Sequence, residues 1–437
     1  MANQEQNSSL QVGIARTDIT PPVGIPMVGF AGRGPSIGVH DPLFATALVV
    51  TDGEKKAALI GCDLLDLGDD VVEEVRQAIY TKLCIPPTHV TISCTHTHYG
   101  PDSYRNASIA NVAAYKANLI YKLAGIVQEA ASNIQIVRLG VGWGVSDIGI
   151  NRREKRPDGQ IVLGKNPDGP IDRQVGVLRL DKEDGKPLAC LVNFACHPVS
   201  QGGRMQLISA DFPGKMRDVV EQLIGVPCLY LQGACGNINS TMLEHSYEPA
   251  RTLGTRLGCE VVKVWETIET AEAVGIAGAA ETVSLPQIMY GSEAEAETLN
   301  QNLTQQLEQL KASGANEGSI YWVQRRLERV SQALESWRTG KPLQPTIAEL
   351  QAWRIGTFGF ATAPGEIFNE IGTAIKRQSP LENTFFLGYA NGSIGYVPTA
   401  ESYPEGGYEV THACRVNPEA EEIITEVCLR LLHAVSA

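Results

Sequence analysis

Two histidines separated by one residue, His96-Thr97-His98, follow the β-like run Val90-Thr91-Ile92-Ser93 and precede Tyr99-Gly100-Pro101. Residues i and i+2 of an extended chain point the same way, roughly 6.5 to 7 Å apart. Two neutral imidazoles facing one pocket suit a division between metal ligation and proton transfer. A lone His-x-His is more often a pair of polar loop residues, so further residues must converge on it for that chemistry to follow. Three candidates lie far along the chain. His197 ends a second β-like run, Leu191-Val192-Asn193-Phe194-Ala195-Cys196, and Pro198 stops it. Glu366 follows a strand expected over 355–361 and a Pro364-Gly365 turn, which predicts a position near the first turn of a helix. There a carboxylate either favours the helix dipole or offers an oxygen ligand. The segment from Gly388 to Thr399 is rich in glycine and tyrosine, holds Tyr396, and is followed by Tyr403 and Tyr408.

The elements that must position these residues alternate. Runs 44–51, 57–62, 90–94, 188–194 and 228–231 read as strands; stretches 69–83, 109–131, 214–224, 249–269 and 418–434 read as helices. Runs 137–143 and 175–181 have no helix between them, so the sheet is expected to be mixed, an α/β fold with a layered β core flanked by helices. Residues 290–340 carry Leu299, Leu303, Leu307 and Leu310, then Ser313-Gly314-Ala315-Asn316, then Ile320, Val323, Leu327, Val330, Leu334 and Trp337 at helical spacing. That pattern predicts an inserted αα-hairpin serving as a lid, a contact between copies, or a covering layer.

The 437 residues carry 36 basic and 49 acidic side chains, a net charge of −13. This disfavours nucleic acid and stable association with anionic membrane, and leaves a small-molecule substrate as the expected partner. Met1 to Leu10 is polar without the marks of a signal peptide, and ten cysteines are scattered with no Cys-x-x-Cys, which fits reduced thiols and a cytoplasmic setting.

The order of several short motifs resembles the neutral/alkaline non-lysosomal ceramidase family over nearly the whole chain, as a single catalytic domain spanning 1–437. The motifs are Asp18-Ile19-Thr20-Pro21, His40-Asp41-Pro42-Leu43, His96-Thr97-His98 with Gly100-Pro101, Ile150-Asn151-Arg152, Ser209-Ala210-Asp211 and Pro364-Gly365-Glu366. The resemblance implies one zinc ion held by His96, His197, Glu366 and Tyr396, with Arg152 and Tyr408 donating to a substrate carbonyl or its oxyanion. His98 is then the proton carrier, and Asp63 and Asp211 are candidates for orienting a ligand imidazole.

Three departures from the family pattern shape the expected reaction. Where ceramide-cleaving members have a serine in a Gly-Asp-Val-Ser-Pro segment, this chain has Gly236-Asn237-Ile238-Asn239-Ser240, with the amide of Asn239 at the serine position. Attack would then fall to metal-activated water, with Asn239 adding a hydrogen bond to substrate, while Cys235 reads as a packing residue. The family's C-terminal immunoglobulin-like domain and secretion signal are not expected here. Tyr99 replaces a small residue and is expected to narrow the pocket. The expectation is therefore a zinc-dependent hydrolase of an N-acyl bond in a small polar substrate. The alternatives are a metal-binding homologue without turnover and a hydrolase of esters or carbohydrate-linked groups.

Overall fold

A computed structural model describes residues 9–437; the polar start falls, up to residue 8, outside them. The nine-stranded sheet runs Cys228–Gln232, Pro187–Phe194, Gln174–Lys182, Gln135–Val145, Gln11–Asp18, Phe44–Thr51, Lys56–Cys62, Val90–Cys94, with Ala271–Glu272 paired beside Gln135–Val145. Its two outermost pairs are parallel and the inner ones antiparallel. This is the mixed sheet the uninterrupted runs 137–143 and 175–181 predict.

Alternation along each strand decides what packs on which face. In Phe44–Thr51, Ala45, Ala47 and Val49 face the helices Asp69–Leu83 and Ala110–Ser132, burying Val72, Val75, Leu119 and Leu123. Leu48 and Val50 face the other way, onto Trp353, Phe358, Phe360 and Phe385 of a second, four-stranded sheet. That sheet's far face is covered by helix Glu419–Ser436 through Ile424, Cys428 and Leu432. The helices Asp211–Ile224 and Glu248–Trp265 cover the other end of the large sheet with Phe212, Met216, Leu257 and Val261. The result is four layers, α/β/β/α; the second sheet was not read from the sequence as a separate layer.

The large sheet curls until its ends nearly meet. Gln232, closing one end strand, donates from Nε2 to the carbonyl of Thr95 beyond the other (2.9 Å). The segment Gly388–Asn391 lies along this seam, with Gly388 N–H bonded to Gln232 O (3.1 Å) and Asn391 N–H to Ile92 O (2.8 Å). Loops from strands at opposite ends of the sheet are thereby brought side by side.

Helices Glu293–Ala312 and Glu317–Thr339 form the predicted hairpin around Leu303, Val323 and Val330. A capping box of Ser292 with Glu295 and an Asn316 cap on Ser319 N–H fix the two starts. Two local readings are corrected. The strand expected over 355–361 is a hairpin between Thr346–Ile355 and Phe358–Thr362, turning at Gly356 with φ 59°. Glu366 precedes the next helix, which begins at Asn369, and lies in the two-residue strand Glu366–Ile367.

Candidate metal centre

His96 and His98 converge, but not as alternate residues of a strand. The strand ends at Cys94, and His96 takes the left-handed φ of 65°, a costly conformation for a residue with a Cβ. The neighbouring loop holds it there: His96 N–H donates to Leu64 O (2.9 Å) and Nδ1 to Leu65 O (2.7 Å). The Tyr389 ring from the seam segment lies 4.0 Å from its ring, centroid to centroid. His197 is clamped in the same manner. Its Nδ1 faces the carbonyls of Cys235 (2.6 Å) and Ile238 (3.0 Å), and its backbone bridges Asn239.

With each Nδ1 committed as donor, each Nε2 carries a lone pair. Those lone pairs point at one carboxylate oxygen, Glu366 Oε2, at 3.4 Å from His96 and 3.1 Å from His197. His98 Nε2 is 3.3 Å from His96 Nε2, and the three imidazoles place ligand atoms within 4.8 Å of one another. In their neutral forms the imidazoles turn lone pairs toward the carboxylate, a repulsive arrangement that a cation among them relieves. Burial, helped by the Arg152 charge, pushes His197 down to about 4, so it is neutral and competent to ligate at neutral pH. Tyr396 completes the set. Its strand pairs directly with that of Glu366, and its hydroxyl faces the carboxylate while accepting from Arg152 Nη2 (2.8 Å). Two nitrogens, a carboxylate and a phenol fit a zinc-type ion.

His98 differs from the other two. Its Nδ1 is buried without a hydrogen-bond partner, and burial together with His96 and His197 holds the ring well below the usual imidazole range. It is therefore a neutral base with no carbonyl anchoring it. Above it, the Phe30 ring packs edge-on at 5.1 Å, and Arg33 Nη2 donates to the His98 carbonyl (2.7 Å).

Arg152 is fixed from three sides: Nε to Glu409 (2.7 Å), Nη1 to Asn239 Oδ1 (3.2 Å), Nη2 to Tyr396. A guanidinium has five N–H groups, so two remain for substrate. Glu409, buried and also paired with Arg153 (3.1 Å), was not singled out from sequence; nothing distinguishes it locally from an exposed acid. Tyr408 stands farther out, its ring 5.9 Å from that of Tyr396 and 5.6 Å from Trp322 of the hairpin.

Three expectations change. Asp63 orients no imidazole; both its oxygens bind Arg217 (3.0 and 2.6 Å), and Oδ2 also accepts from Phe44 N–H. Asp211 acts one step away, accepting from the backbone and hydroxyl of Ser200 and thus holding the turn after His197. Tyr99 is wholly buried in the helix-facing core with its hydroxyl accepting from Gln201 N–H (2.9 Å), so it narrows nothing beside the centre. Cys235 is the packing residue expected: burial pushes its thiol up, and Sγ lies 3.1 Å from Tyr389 Oη.

These features define an α/β/β/α domain with a histidine–carboxylate centre at the seam of a curled sheet. Residues 10–227 match the family described as neutral/alkaline non-lysosomal ceramidase, N-terminal. The chain belongs to that family. It is 28% identical to neutral ceramidase A of Dictyostelium discoideum over 225 residues, 48% of this chain and 31% of that one. It is 22% identical to the neutral ceramidase of Pseudomonas aeruginosa over 468 aligned positions, 91% of this chain and 68% of that one. The match thus spans about a third of the Dictyostelium relative's length. The crystal structure of the Pseudomonas aeruginosa neutral ceramidase shares the fold, with a TM-score of 0.75 at 19% identity, covering 98% of this chain and 75% of that one. Glu366, Tyr396 and Tyr408 lie beyond the residues that the family match covers.

Proposed function

We propose that this protein is a metal-dependent amidohydrolase that cleaves an N-acyl bond, with zinc as the metal. The observation that carries this reading is the contrast among the three histidines. Two are anchored through Nδ1 with lone pairs aimed at Glu366, and the third is neutral, unanchored and adjacent. A zinc ion held by His96, His197, Glu366 and Tyr396 would supply Lewis acidity and lower the pKa of an attacking water to about 7. His98 accepts the water's proton at Nε2 and returns it to the leaving amine, and its low proton affinity favours the return. The free N–H groups of Arg152 donate to the carbonyl oxygen as charge develops on it, and Tyr408 lines the outer side of that position. Asn239 is no nucleophile; its Oδ1 keeps Arg152 Nη1 in place.

Relatives named neutral ceramidase support an amide as the scissile bond. Tyr99, buried in the core, does not restrict the substrate to small polar molecules. No helix among the described residues is long and apolar enough to cross a membrane.

The test pairs metal analysis with turnover. His197→Ala should lose both zinc and activity, whereas His98→Ala should keep zinc and lose about 100-fold or more in kcat. Full activity in His98→Ala removes the proton-transfer role. The substrate panel is short N-acyl amino acids, N-acetyl sugars, simple esters and short-chain ceramides. Tight binding without product over long incubation would instead make the protein a non-catalytic binder.

A further inference from the structure

The chain is acidic overall, yet one face of helix Glu317–Thr339 gathers arginines, two of which lack carboxylate partners among the described residues. Trp322, Arg325, Arg326 and Arg329 fall on one stripe by i, i+3, i+4 and i+7 spacing. Of these, among the described residues, only Arg325 makes an ion pair, with Glu328 of its own helix (2.8 Å). The stripe faces the turn Glu409–Ala413: Trp322 packs edge-on to Tyr408 at 5.6 Å, and Arg329 Nη2 donates to His412 O (2.5 Å). Arg415 joins from the far side of that turn, one residue after Cys414, whose backbone bridges Tyr396.

This arrangement is electrostatically unfavourable as it stands. Arg326 and Arg329 are half-buried, and the Nε atom of each is fully buried with no hydrogen-bond partner among the described residues. Partial burial and the neighbouring guanidinium of Arg329 both lower Arg326, and burial with Arg325 and Arg329 lowers Arg415. Clustered cations with open N–H groups, Arg326 and Arg329 half-buried and Arg415 exposed beside them, favour an oxyanion, the ligand that guanidinium forks match in geometry and charge. The group stands at a defined place relative to the metal centre. From Glu366 the path runs to Tyr396, then 5.9 Å to the Tyr408 ring, then 5.6 Å to Trp322 on the arginine stripe.

We infer that Arg326, Arg329 and Arg415 form an oxyanion subsite at the mouth of the centre, selecting N-acyl substrates that carry a carboxylate or phosphate two aromatic rings away from the scissile amide. This rests on the proposed hydrolase reading for the word substrate; the anion site itself does not. An anionic membrane surface is the less favoured occupant, because Arg329 turns inward onto His412 O and the Nε atoms of Arg326 and Arg329 are buried instead of projecting outward.

Binding and turnover are measured separately on zinc-loaded protein, wild type against Arg326→Gln and Arg415→Gln, neither of which touches the metal centre. Calorimetry with inorganic phosphate and with glutarate should show binding that weakens at least tenfold in both variants. Turnover is compared on N-acetyl compounds identical except for a terminal carboxylate, phosphate or methylamide. The anionic members should have the lower KM, raised at least tenfold in the variants, while methylamide kinetics and zinc content stay unchanged. Anion binding that depends on the arginines with no hydrolysis of any compound supports the subsite and overturns the hydrolase reading. Hydrolysis with no preference for the anionic members and no effect of either variant overturns the subsite. So does arginine-dependent sedimentation with phosphatidylserine vesicles in the absence of small-anion binding.

Discussion

Among single residues, Glu409 has the clearest energetic role outside the proposed metal-ligand set. Two guanidinium groups, those of Arg152 and Arg153, converge on its buried carboxylate. Removing one member of a buried ionic group strands charge in a low dielectric, a cost of roughly 3 to 5 kcal/mol. Glu409→Gln keeps the shape and loses the charge, so it should reduce unfolding free energy by about 3 kcal/mol in urea titrations. Turnover should fall with zinc content retained, because Arg152 would no longer be held beside Tyr396. The same residue shows where a sequence stops being informative. His96, His98 and His197 stand out because histidine is scarce, with eight in the chain, and because two sites end β-like runs. Glu409 is one of many acids, and its importance comes entirely from two arginines more than 250 positions away. Asp63 illustrates the reverse: its place at a strand end suggested support for an imidazole, whereas Arg217 claims it.

The hairpin is the element whose placement bears most on substrate access. Its second helix begins against the loop that carries Phe30 and Arg33 over His98. A Cβ built on Gly318 would stand 2.8 Å from Ala31 O, which is backbone and cannot swing aside. Gly318→Val should therefore lift the start of this helix from the loop at a cost of about 1 to 3 kcal/mol. Hydrogen exchange should quicken over 28–33 and 317–325, and kcat/KM should drop without loss of zinc. Unchanged exchange in both segments would show that the contact does not hold the hairpin down. Periodicity revealed the two helices and the break between them, since an apolar stripe at 3.6-residue spacing is a local property. It left open what the hairpin covers, because Trp322 and the arginines beside it meet Tyr408 and His412 only after the chain has folded.

For the molecule as a whole, the buried imidazoles tie stability to pH. His197 is held neutral down to about 4, while in the unfolded chain it takes a proton near 6.5. Between those values only the unfolded state binds the proton, so stability rises with pH across the window and is lost as pH falls through it. For metal-free protein the contribution is on the order of 3 kcal/mol between pH 7 and 4. Comparing urea unfolding of wild type with His197→Gln isolates it, and identical slopes would refute it. The alternation of strands and helices, the mixed sheet, the hairpin and the candidate histidines were legible in the amino-acid order. Each depends on neighbours within a few positions or on residue types suited to a reaction. What tertiary structure alone decided is the convergence. A nine-stranded sheet curls until its ends nearly meet, the segment Gly388–Asn391 runs along that seam, and loops about a hundred residues apart become adjacent. No local pattern encodes that closure, because it follows from the summed twist of paired strands and the packing of two sheets against each other.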